Sequence, residues 1–181
     1  MNLPAQVVLM ASYNTWMNAK VYEAAGRLSA EALAADRGAF FGSVLGTLNH
    51  LVVADTIWLK RFAEHPARHA ALDRVRPLPA PSSLDQLPFE DFAELSEHRR
   101  MLDATIEDWA AALTVDDLAH VLRYTRRDET FARAMSGLLM HFFNHQTHHR
   151  GQATTLLTQA GIDVGVTDLV MLIPNQDAPP T

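Results

Sequence analysis

The chain contains no cysteine. Disulfides, thiolate metal ligands and a cysteine nucleophile are excluded together. No stretch approaches ~18 uninterrupted apolar residues, so no membrane span is expected. No basic N-terminal segment leads into an apolar run and a cleavage site, so no secretory signal is expected and a cytoplasmic location is the default. There is no glycine-rich phosphate loop, internal repeat or heptad array. Positive charge is not in excess either: 15 Lys+Arg against 21 Asp+Glu leave a formal charge of −6, with the arginines scattered. That balance argues against a nucleic-acid partner. What is there is 181 residues, 48% hydrophobic and 20% charged, which suits one globular domain. The surplus is in histidine. There are nine, and four of them, His141, His145, His148 and His149, fall in one short stretch.

Residues 3–28 read as a first helix, with Pro4 suited to its first turn. Residues 29–38 read as a turn or one-turn connector. Residues 39–64 read as a second helix, apolar on nearly every side. At ~100° per residue, Asn49, Thr56 and Lys60 fall on one stripe, which is the expected solvent face. Residues 65–88 carry Pro66, Pro77, Pro79, Pro81 and Pro88, and have no helical period. A connector this long lets the second and third helices run parallel. A third helix is expected at 89–112 and a new start at Thr114. Residues 120–131 are compatible with a small hairpin around Arg126-Arg127-Asp128. A fourth helix spans about 133–160 and stops at Gly161. A short helix at 169–173 precedes Pro174, and 174–181 form a flexible tail. The class is all-α: a four-helix bundle over 1–173 with a long crossover between helices two and three.

On the fourth helix, Leu138, Phe142, Ala153 and Leu156 share one sector. At ~100° per residue His149 lies at its centre and His145 ~40° to one side. This i, i+4 pair faces inward and can converge on one ion. Two imidazoles hold a metal weakly, so a third ligand from another helix is needed. His50, on the flank of the second helix, is the candidate. His98 is expected to be exposed, and His65 and His69 to sit in the loose connector. His148 points away from the core, and Arg150 is placed at the surface or at a dimer contact. Asp55 lies toward the buried side of the second helix, either to accept a bond from a ligating histidine, or to form a salt bridge or remain partly exposed. Gln152 lies near His145 and His149 and is a candidate contact for metal-bound water or substrate.

The segment Asn144-His145-Gln146-Thr147-His148-His149-Arg150-Gly151-Gln152 resembles the NHxxHHRGQ signature of the DinB/YfiT-like family. Gly46-Thr47-Leu48-Asn49-His50-Leu51 with Trp58 resembles the family's second-helix motif. Tyr13-Asn14-Thr15-Trp16 resembles its first-helix start. The resemblance implies an up-down-down-up bundle, a homodimer, and a divalent metal held by His50, His145 and His149. It also implies metal-dependent hydrolysis, or transfer chemistry on small thiols of the mycothiol or bacillithiol kind.

Three neutral nitrogen ligands leave coordination positions open, the pattern of catalytic sites. Imidazole suits zinc or nickel among other ions. A low-molecular-weight thiol cosubstrate would have to come from outside, since the chain has none. The expected function is thus a metal-dependent hydrolase or thiol-dependent transferase acting on a small molecule. Two alternatives stand beside it. One is a non-catalytic, metal-stabilised dimeric bundle with a stress-related role; the other is a dimeric interaction module whose core histidines are satisfied by hydrogen bonds alone.

Overall fold

Helix starts along the chain are marked by side chains that take up otherwise unpaired backbone N–H groups. In the computed structural model, which describes residues 1–175, Asn2 caps α1 (Leu3–Ala25) through Ala5 N and Ser29 caps α2 (Ala30–Ala34). Ser43 caps α3 (Val44–Phe62), and Asp91 caps α4 (Phe92–Ala112) through the N–H groups of Ala93 and Glu94. Thr114 and Asp117 form a reciprocal capping box on α5 (Val115–Ala119). Strands β1 (Val121–Arg126) and β2 (Glu129–Ala134) form an antiparallel hairpin. Its turn residues Arg127 and Asp128 both have positive φ, as a tight hairpin turn requires. Helix α6 (Met135–Gln159) follows directly.

The long helices α1, α3, α4 and α6 enclose the core. Helices α1 and α3 each pack against both α4 and α6. Phe62 of α3 stacks on Trp109 of α4, with centroids 4.9 Å apart, and meets the edge of Phe142 of α6 at 5.7 Å. All three rings are fully buried. Helices α3 and α4 run in the same sense, since Asn49 meets Phe89, Asp55 meets Arg99 and Phe62 meets Trp109 in order. The connector between them makes that possible.

Four expectations change, and a fifth falls outside the described residues. The chain is mostly helical but not all-α, because the hairpin is present. The segment at 169–173 forms a 3-10 turn, Leu169–Leu172, and not an α-helix. From 176 onward the expected tail lies outside the described residues. The second helix starts at Val44 rather than 39, because Ser43 caps there. Finally, the Asn49–Thr56–Lys60 stripe does not face solvent. Asn49 and Thr56 are buried. Asn49 exchanges two hydrogen bonds with the backbone of Phe89. Lys60 Nζ donates to the carbonyls of Val75, Arg76 and Leu78. The proline-rich connector folds over this stripe and lends its backbone to it.

Candidate metal centre

His50 enters from the middle of α3, while His145 and His149 come from successive turns of α6. Their ring nitrogens meet: His50 Nε2 lies 3.3 Å from His145 Nε2 and 3.2 Å from His149 Nε2. Around a tetrahedral ion with metal–nitrogen bonds of about 2.0–2.1 Å, ligand nitrogens stand about 3.3 Å apart. His50 and His149 are buried and His145 is half-buried.

The other ring nitrogens decide which protons are present. His50 Nδ1 lies 2.8 Å from the carbonyl oxygen of Leu84, which can only accept, so Nδ1 carries the proton. His149 Nδ1 lies 2.7 Å from Gln152 Oε1 and is protonated for the same reason. In neutral rings this leaves bare lone pairs on both Nε2 atoms, pointed at each other. Burial, then the neighbouring imidazoles, lowers the His145 pKa to about 3. Burial is also the leading cause that depresses His50 and His149. Neutral rings with convergent lone pairs have the donor chemistry a cation requires.

Phe41 covers one side of the cluster. Its ring stacks on His50 with centroids 3.8 Å apart and meets His149 edge-on at 5.5 Å. Phe41 reaches this place because α3 begins only at Val44 and the chain turns at Gly42. A Cβ on Gly46 would collide with the Phe41 carbonyl oxygen, so only glycine permits this approach.

The structure brings the three expected histidines together and sorts the remaining candidates. Gln152 touches His149, as its place on the wheel suggests, and contacts no other member of the triad. Asp55 does not accept from a ligating histidine. Its Oδ2 accepts from Arg99 at 2.5 Å and from Gln146 at 2.9 Å. Arg150 is not at the surface: it is 2% exposed and bonds to Asn14. His98 is half-buried against Phe89, not exposed. His148 is exposed, as expected. The partners missed from sequence are Phe41 and the Leu84 carbonyl. The first was hidden by the misplaced helix start, and the second is a backbone atom with no sequence signature.

A second group, His65, His69 and Asp117, also lies close together. His65 Nδ1 already accepts from Ala67 N, and Asp117 Oδ2 serves the α5 cap. These residues tie the connector to α5, so it is not loose there.

A family model described as "DinB family" matches residues 1–178. Protein DinB of Bacillus subtilis (strain 168) is 25% identical over 159 residues, covering 86% of this chain and 87% of that protein. With a match over almost its full length, this chain belongs to the DinB family.

Proposed function

We propose that the protein is a metal-dependent enzyme, a hydrolase or a small-thiol-dependent transferase, working at an open site formed by His50, His145 and His149. The observation that carries this reading is the pair of Nε2 lone pairs forced together by the Leu84 carbonyl and Gln152. These three rings would hold a divalent ion, zinc or nickel. When bound, such an ion supplies Lewis-acid activation of water or of a thiol. The chain does the rest. Leu84 and Gln152 fix two rings in the ligating tautomer. Phe41 keeps water off one side of His50. His145 keeps the most solvent-accessible surface of the three, and the proposed vacant position is assigned to its side.

The same reading includes the up-down-down-up order of α1, α3, α4 and α6, supported by the parallel run of α3 and α4. It also includes a homodimer. Leu3, Met10 and Met140 border an apolar cavity of about 270 Å³ between α1 and α6, where a second copy has apolar surface to cover.

The test is metal analysis of protein purified without chelator, followed by zinc and nickel titration of wild type and of His50→Ala, His145→Ala and His149→Ala. About one equivalent is expected for wild type, with affinity falling at least a hundredfold in each variant. Hydrolysis of esters and transfer of small thiols then separate the catalytic reading from a metal that only stabilises the bundle. A wild-type protein that binds neither ion overturns the proposal.

A further inference from the structure

One turn before His145 on α6, a cavity of about 360 Å³ opens between the hairpin and the α3–α6 face. Its wall is aromatic. Trp58 meets Tyr124 edge-on at 5.5 Å, and Tyr124 stacks on Phe131 at 5.5 Å. Trp58 also meets His141 at 5.1 Å, and the His141 ring lies 5.9 Å from that of His145. The cavity therefore reaches the histidine cluster through a single ring.

Its charge is one-sided. Arg126 and Arg133 line it. Arg61 lies over both Trp58 and Tyr124, 4.7 and 4.8 Å from their centroids, and Arg133 lies over Phe131 at 5.2 Å. Among the described residues, no carboxylate lies within 4.0 Å of any of these three guanidiniums; the ion pairs belong to Arg27, Arg74, Arg76, Arg99, His65 and His69. Glu129 is the register partner of Arg126 and shares its side of the hairpin, yet forms no ion pair with it. On a chain of net charge −6, three unpaired arginines around one cavity are a local concentration of positive charge. Arg133 rests over an aromatic ring and Arg126 lines the cavity with no carboxylate partner among the described residues, so their N–H groups can serve an oxyanion.

We propose that this cavity binds the anionic end of the molecule processed at the histidine site: a carboxylate, sulfonate or phosphate carried on an apolar or aromatic body. Arg126 and Arg133 hold the oxyanion, the aromatic wall holds the body, and His141 lies on the way to the reacting end. The link to a reaction rests on the function proposed above, whereas anion binding in the cavity does not.

The experiment has two arms. In the metal-free protein, calorimetric titration compares 3-phenylpropionate with the neutral 3-phenylpropanol. The acid is expected to bind wild type at least tenfold tighter than the alcohol, with the advantage shrinking as salt rises. Arg126→Gln/Arg133→Gln should abolish that preference at unchanged thermal midpoint. Arg123→Gln, on the other side of the hairpin, should keep it. Equal binding of acid and alcohol, or an undiminished preference in the double variant, overturns the anion site. In the zinc-loaded protein, 6-mercaptohexanoate should bind about tenfold tighter than 6-mercaptohexanol, because two tethered ends add. If the first arm succeeds and the second shows no such gain, the cavity binds anions but does not serve the histidines. If no zinc binds at all, the function proposed above falls while the first arm still judges the cavity.

Discussion

A histidine becomes a ligand through the atom behind it. Two of the three rings here are held by an acceptor on Nδ1, and the acceptors differ in how visible they are. Gln152 sits one turn from His149 on the same helix, so the wheel brings it close. The acceptor for His50 is a main-chain carbonyl at Leu84, in a connector with no periodicity to read. Asp55 has the right chemistry and an inward face, but the wheel cannot show what stands opposite, and Arg99 stands there. The Gln152 role can be isolated. Gln152→Leu removes the acceptor and leaves the ring free to turn, while the residue is only half-buried and the fold should hold. Zinc affinity is expected to fall about 10–100-fold, the usual effect of losing such a partner. Competition against a chromophoric chelator measures it, and an unchanged affinity would show that Gln152 positions nothing.

The helices are tied together by a buried polar network that composition does not announce. Arg99 of α4 pairs with Asp55 of α3 at 2.5 Å and with Asp103, one turn on, at 2.9 Å. Asp103 accepts from Asn14 and Asn18 of α1, at 3.0 and 2.8 Å. Gln146 of α6 donates to Asp55, and Arg150 of α6 donates to Asn14. All four long helices thus contribute, and two arginines balance two aspartates. Burial would lower the Arg99 pKa, but Asp103 and Asp55 more than reverse this and raise it. The network also explains the corrections at this scale. Residues of the Asn-His-x-x-His-His-Arg-Gly-Gln stretch alternate between two tasks: His145 and His149 turn to the histidine cluster with His50, Gln146 and Arg150 to the network. A one-helix wheel shows the inward side of α6 but not that two other helices divide it. The stripe on α3 is illegible on a wheel for a similar reason, since only the fold places the connector over Asn49 and Lys60. Removing one member of a buried charged set strands the others, at a cost of about 3–5 kcal/mol. Arg99→Ala should therefore lower unfolding free energy in urea by that order, and Arg99→Met with Asp55→Asn should recover part of it. A loss under about 1 kcal/mol for Arg99→Ala would mean that packing alone holds the helices in register.

At the scale of the whole molecule, the histidine cluster couples stability to acidity. The folded His145 stays neutral down to about pH 3, chiefly through burial, against an ordinary histidine value of 6.5. His50, His65, His98, His141 and His149 are shifted in the same direction, with burial the leading cause in each. Between those limits the unfolded chain binds more protons than the folded one, so stability rises with pH. The contribution is fully present above pH 6.5 and is lost as pH falls toward the folded values. Asp103 works the other way. Burial raises its pKa to about 6, so its contribution is present below the ordinary aspartate value of 3.8 and is lost as pH rises through 6. Six rings against one carboxylate set the net sign. The thermal midpoint of chelator-treated protein should thus fall as pH drops from 7 to 5, and His145→Asn should flatten the slope. Saturating zinc should raise the midpoint at pH 7, because a ligand that binds only the folded state stabilises it. That gain should shrink toward pH 5, where protons compete for the same lone pairs. A midpoint independent of pH in the metal-free protein would contradict the burial of these rings. A zinc-induced rise equally large at pH 5 would place the ion somewhere other than on the three imidazoles.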